Sequence, residues 1–192
     1  PDCIFGYSTE TDLLPTDLAS LYLVTRELLH PDMVDFDNLT SDGLSFPFLT
    51  VEYTADADPE GGNLWTATNE CAGASAACLN VIWQLNETLQ KHGGAGDDNK
   101  QYTKSVEPIV YAMAISQDHV YVHVAWSSDI GPVPKYRMQR VETFSMSKES
   151  DLLDFCRCVH NILDWAKGPR QAAICEALRA IADGNKRAQS NN

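Results

Sequence analysis

The sequence predicts an α/β (α+β) domain, with a mixed central sheet flanked by helices and a helical C-terminal third. Short apolar, β-branched runs bounded by turn residues mark the strands. Longer stretches with apolar side chains every three or four residues mark the helices, which separate the first strands and close the chain. Composition agrees: 44% hydrophobic and 21% charged residues in a chain of 192 are globular values, and that length closes one substantial core.

Asp2 to Tyr7 reads as a short strand. Thr16 or Asp17 can cap a helix to about His30, with Leu18, Leu21, Tyr22 and Leu28 as its stripe and Pro31 as its stop. A polar loop at 35–44 leads to the strand Ser45 to Tyr53, which ends in the acidic turn Ala55 to Gly62. The next helix starts at about Leu64 or Asn69 and runs to Lys91, with Cys71, Ala74, Cys78, Ile82, Leu85 and Leu89 in phase. Its small residues, Ala72 to Ala77, suit a close approach to a sheet. Residues 92–104 form a glycine-rich loop, and three strands follow: Val106 to Ser116, Val120 to Ser127 and Tyr136 to Met146. Ser150-Asp151 caps a helix along Leu152, Phe155, Cys156, Val159, Ile162, Leu163 and Ala166; Gly168-Pro169 kinks or breaks it. A second helical segment carries Ala173, Ile174, Ala177, Leu178 and Ile181. Residues 1–187 are expected to form one domain and 188–192 a frayed tail. Because the chain opens directly on its first motif, further elements are expected upstream of Pro1, where a targeting signal would lie.

The strand from Ser45 to Tyr53 carries the chemistry. Alternation puts Thr50, Glu52 and Thr54 on one side and Leu49, Val51 and Tyr53 on the other. A carboxylate on a core-forming strand is costly to bury unless something pairs with it or binds it. Asp2, at the head of the first strand, is a second acid. Two acids on neighbouring strands, with Lys two residues after the second, are the arrangement that holds Mg²⁺ for phosphodiester cleavage. The metal takes hard oxygen ligands, and the Lys offsets negative charge growing on the attacking water and phosphate. Here that position is Thr54, which can hydrogen-bond a water but brings no charge. Losing one such group costs about 10²-fold or more in rate. Solvated acids at strand ends give the same pattern, so these residues alone leave a metal site and a bland surface both open.

Four blocks carry a family resemblance: Pro1-Asp2-Cys3-Ile4-Phe5-Gly6-Tyr7, Phe46-Pro47-Phe48-Leu49-Thr50-Val51-Glu52, Leu64-Trp65-Thr66-Ala67-Thr68-Asn69-Glu70-Cys71-Ala72-Gly73 and Asn161-Ile162-Leu163-Asp164-Trp165-Ala166-Lys167. In order, and over nearly the whole chain, they resemble a fungal family described as PD-(D/E)XK nuclease-like domains. The resemblance implies a restriction-endonuclease-like core, with the Glu52 strand central, the Asp2 strand beside it and the 64–91 helix across one face. Asp2 matches the family's first acid and Glu52 its second, which makes them candidate ligands of Mg²⁺ or Mn²⁺. Thr54 stands where members usually carry Lys, and Glu70 where they carry Gln. Glu70 either adds a third carboxylate to the metal site or favours the positive end of its helix.

These departures set the functional expectation. The leading reading is a catalytically degenerate nuclease-fold domain that binds or scaffolds protein partners. The alternatives are an active Mg²⁺-dependent nuclease on DNA or RNA, with a Lys or Arg relocated from elsewhere, and a secreted fungal effector. With 14 basic and 27 acidic residues the net charge is 14 − 27 = −13 and the pI about 4.6. That balance disfavours nucleic acid, whose binders draw on Lys and Arg, and suits a protein partner. Lys135, Arg137 and Arg140, like Lys167, Arg170, Lys186 and Arg187, read as exposed charges on a ribbon and on helix ends. No apolar run approaches a transmembrane length, so no membrane association is expected.

The six cysteines, Cys3, Cys71, Cys78, Cys156, Cys158 and Cys175, lack zinc-ligand spacing, and Cys156 and Cys158 lie about 200° apart on a helix. Reduced and mostly buried thiols are expected, which fits a nuclear or cytoplasmic location. The sequons Asn38-Leu39-Thr40 and Asn86-Glu87-Thr88 do not alter that expectation. His119, Tyr121 and His123 share one face of their strand, opposite Val120, Val122, Val124 and Trp126. The two histidines lie about 13 Å apart and cannot share a metal ion, so their face is read as exposed or covered by a helix.

Overall fold

The computed structural model describes residues 1–8, 44–54, 64–92, 104–128 and 135–190. The helix expected from Thr16 or Asp17 to His30, the acidic turn after Thr54 and the glycine-rich segment 93–103 lie outside the described residues.

Five strands form one mixed sheet in the order β1-β2-β3-β4-β5: β1 (Cys3–Ser8), β2 (Leu44–Tyr53), β3 (Ile109–Ile115), β4 (His119–Ser128) and β5 (Lys135–Ser145). β2 and β3 run parallel, while β4 is antiparallel to both β3 and β5. The 29-residue helix α1 (Leu64–His92) lies between the parallel pair in sequence, as a parallel connection requires. The expectation for β2 needs one adjustment. It is an interior strand with β1 beside it, but β3 occupies the middle of the sheet. Parallel pairing explains why β2 is buried continuously from Phe46 to Glu52 rather than at alternate positions. Phe46 has a φ of 48°, which costs a non-glycine residue about 1–2 kcal/mol; its ring is buried in the core.

Strand register defines the two faces. Thr50 pairs with Ala112 and Glu52 with Ala114; Ala112 pairs with His123 and Ala114 with Tyr121. These residues share a face, and α1 covers it. Ala67 and Cys71 pack against Ala112 and Ala114, with Leu64, Tyr121 and Met138 around them. Further along, Cys78 and Leu79 pack against Val110 and Ala125, with Ile4 and Met138 alongside. Small side chains on both partners let the helix approach closely. The opposite face carries α2 (Glu149–Trp165), where Trp165 meets Tyr111 edge-on at 5.3 Å and Phe155 meets Phe144 at 5.7 Å.

The start of α2 departs from expectation. The helix begins at Glu149 after Lys148, which makes no side-chain cap. Ser150 and Asp151 therefore sit inside the first turn. Asp151 Oδ2 instead accepts the Ser145 N–H at 3.0 Å, tying the helix to the end of β5 and holding its carboxyl below the usual carboxylate range. Gly168-Pro169 perturbs the helix without ending it: a π-helical turn, Ala166–Arg170, contains Pro169 and leads straight into α3 (Gln171–Ser190). The wider turn shifts the angular register of the residues that follow. Arg170, the last residue of the turn and expected as an exposed charge, is buried at 3% exposure.

Packing divides the chain into two interleaved units, residues 1–6, 47–80 and 108–166 in the first and residues 7–46, 81–107 and 167–192 in the second. Within the second, the later part of α1 buries Val81, Ile82, Leu85 and Leu89, and α3 buries Ile174, Ala177, Leu178, Ile181 and Ala182. Asn86 of α1 holds Val106 through two 2.9 Å bonds: Nδ2 donates to the Val106 carbonyl, and Oδ1 accepts from the Val106 N–H.

Candidate functional site

Strand pairing brings Asp2 and Glu52 together at one end of the first unit. Glu52 is 5% exposed, and its Oε2 accepts the Asp2 N–H at 3.2 Å. Asp2 returns the contact one residue on, its Oδ2 accepting the Tyr53 N–H at 2.7 Å. Each acid therefore commits one carboxylate oxygen to its neighbour's backbone, which is how a strand-borne acid is buried without an unmet charge. Thr54 is half-buried, and its N–H donates to the Ile115 carbonyl at 2.8 Å, carrying the β2–β3 pairing one residue past the strand. Glu70 is exposed on α1. Its neighbour Cys71 lies against Glu52 instead, and burial together with that carboxylate pushes the Cys71 thiol up to about 12. Cys71 is thus an inert packing group rather than a nucleophile.

The Mg²⁺ or Mn²⁺ site suggested by the resemblance needs open carboxylate oxygens converging on one point. The structure gives Asp2 and Glu52 as neighbours that are partly occupied with backbone donors. No group of three or more His, Cys, Asp or Glu side chains placed to hold a metal ion is present among the described residues.

All six cysteines are free thiols. Cys71 and Cys78, seven residues apart on α1, are buried as their shared face predicts; Cys3 and Cys156 are exposed and Cys158 and Cys175 half-buried. The expectation of mostly buried thiols therefore holds only for the α1 pair. No described helix is long and apolar enough to cross a membrane.

On the same sheet face, beyond Ala112 and Ala114, lies a cavity of about 640 Å³. Its lining comes from the start of α1 (Leu64, Trp65, Thr68), the β3–β4 turn (Ser116, Asp118, His119) and the strand residues Tyr121, His123 and Arg140. The Ser116 hydroxyl shapes the turn by accepting the His119 N–H at 3.1 Å and the Asp118 N–H at 3.3 Å. Arg140 lies over the Tyr121 ring, 4.4 Å from its centroid, a cation–π contact that fixes the guanidinium plane.

Arg140 reaches this face through a β-bulge. Val122 pairs with Glu142 but His123 pairs with Arg140, so Val141 is the extra residue on β5. Without it, His123 would face Val141 and Arg140 would turn to the opposite side of the sheet. Bulges re-aim side chains in this way. Arg140 is exposed, as expected of a ribbon charge, but the face it occupies is set by the skipped residue, of which alternation carries no sign.

His123 is 3% exposed, and its Nδ1 has no hydrogen-bond partner in bonding geometry among the described residues. Burial, then the Arg140 guanidinium, lowers its pKa, partly opposed by backbone groups of Ala112 and Tyr121. The ordinary value is about 6.5, so below that pH the unfolded chain takes up a proton that the folded chain refuses. Stability present above about pH 6.5 is therefore lost as the pH falls, until the lowered folded-state pKa is passed. Urea unfolding between about pH 7.5 and pH 5 should show this slope, and His123→Gln should flatten it.

No curated protein and no solved structure matches the chain. A family model does match residues 1–178. The chain therefore belongs to the family described as domain of unknown function DUF7924.

Proposed function

We propose that this chain is a PD-(D/E)XK nuclease-like domain, of the fungal kind its sequence blocks resemble, that has lost catalysis and acts as a binding or scaffolding module for protein partners. One observation carries the reading. Glu52 accepts the Asp2 N–H, Asp2 accepts the Tyr53 N–H, and the position two residues after Glu52 is the uncharged Thr54. Among the described strand residues, the register places one Lys or Arg on the Glu52 face, Arg140 on β5. Three strand spacings separate β2 from β5, about 14 Å, and Arg140 is committed to Tyr121. A cation so far from the two acids is poorly placed to offset charge growing on a phosphate beside them. The surplus of acid residues favours a protein surface over a polyanion. Six free thiols suit a reducing nuclear or cytoplasmic compartment.

Cleavage assays on single- and double-stranded DNA and RNA, with Mg²⁺ or Mn²⁺, test this reading on wild type, Thr54→Lys and Glu52→Ala. Wild type is expected to cut none of them. Cleavage gained by Thr54→Lys would identify the missing cation as the reason. Metal-dependent cleavage by wild type that Glu52→Ala abolishes would overturn the proposal in favour of an active nuclease.

A further inference from the structure

The cavity beside Tyr121 is built with more polar chemistry than packing requires. Trp65 stands at its edge 73% exposed, leaving an indole ring largely in water where a flat partner could cover it. Arg140 has one face against Tyr121, which leaves the in-plane N–H donors of the guanidinium for an anion. Its placement depends on the Val141 bulge, which re-aims the side chain onto the cavity face. Asp118 adds an acceptor to the same lining. A carboxylate is unfavourable in a site built for an anion alone, but it suits a ligand that also carries hydroxyl or amino donors. Finally, the buried His123 lines the same cavity, and its Nδ1 has no hydrogen-bond partner in bonding geometry among the described residues.

A flat ring, donor groups and an anion in one molecule describe a nucleotide. We propose that this cavity binds a nucleoside monophosphate, its base stacked on Trp65, its sugar or amino donors on Asp118 and its phosphate on Arg140. The volume of about 640 Å³ lies inside the range of roughly 300–1,000 Å³ usual for small-ligand sites. Net charge chooses the small ligand over the polymer: at −13 the chain repels a long polyanion, whereas one phosphate needs only a local cation. The inference goes beyond the loss of catalysis proposed above and does not rest on it, since neither Asp2 nor Glu52 lines the cavity.

Isothermal titration calorimetry with adenosine monophosphate, adenosine, inorganic phosphate and a single-stranded oligonucleotide tests it. Adenosine monophosphate should bind with one-to-one stoichiometry, about tenfold or more tighter than adenosine or phosphate. Trp65→Ala and Arg140→Gln should each weaken it about tenfold or more. Both residues are exposed, so circular dichroism should show unchanged folding, and Arg157→Gln, which alters an exposed pair with Asp154 on α2, should bind as wild type does. No saturable binding at millimolar nucleotide would overturn the proposal, as would binding that both cavity variants leave intact. Phosphate binding as tightly as the nucleotide would remove the stacking role of Trp65. An oligonucleotide that binds tighter than the monophosphate and depends on the same two residues would replace the small ligand by a nucleic-acid strand.

Discussion

Leu79→Ala is expected to lower stability by about 2–5 kcal/mol, a fall of roughly 4–20 °C in Tm for a chain of this size. Leu79 is fully buried where α1 meets the sheet, against Val110 and Ala125 and close to Ile4 and Met138. Truncation there removes several methyl-sized groups from the contact between a helix and residues of four strands, and the small residues nearby cannot move in to fill the space. Urea midpoints for Leu79→Ala and Leu79→Met measure it. Methionine keeps most of the volume and should cost less than about 1.5 kcal/mol. Equal losses in both variants would show that helix–sheet packing at this point is not what Leu79 supplies.

Glu52→Ala should cost about 0.5–1.5 kcal/mol, the net worth of one hydrogen bond, because the Asp2 N–H loses its acceptor. Glu52→Gln keeps an acceptor oxygen at the same reach and should recover most of that loss. A structural acid predicts this order, with alanine clearly below glutamine. An acid retained only to hold a metal predicts the reverse, since removing a buried charge that has no bound metal should stabilise the fold. Denaturation midpoints of the two variants, measured with and without Mg²⁺, separate the cases.

Much of the fold was legible because it rests on periodicity. The run of Cys71, Cys78 and Leu85 on α1 and the alternation of Val120 and Val122 on β4 each announce a buried side, and each of these residues is buried. The adjacency of Asp2 and Glu52 was legible for a different reason, namely the sequence blocks around them. What stayed hidden depends on single-residue departures from regular geometry. The Val141 bulge turns Arg140 toward His123, and Arg170 is buried at the end of a π turn. Neither irregularity leaves a mark in an alternation count. The cap at α2 was missed through a competing bond, because Asp151 serves the Ser145 N–H of the preceding strand rather than the helix end. The cavity drew on all three of α1, β4 and β5, and His123 looked ordinary until its neighbours were known.

The amide of Asn86 carries one more consequence. Asn86-Glu87-Thr88 has the form of an acceptor for an N-linked sugar, and an acceptor must present its amide nitrogen to an enzyme in an exposed, adaptable loop. Here that nitrogen donates to the Val106 carbonyl while its oxygen accepts the Val106 N–H. The tripeptide lies within a long helix, and the Thr88 hydroxyl is turned back onto the Gln84 carbonyl. Every group a glycosyl transfer would use is already engaged in the fold. In the folded chain the triplet is a sequon in spelling alone, its amide and hydroxyl already bonded within the fold.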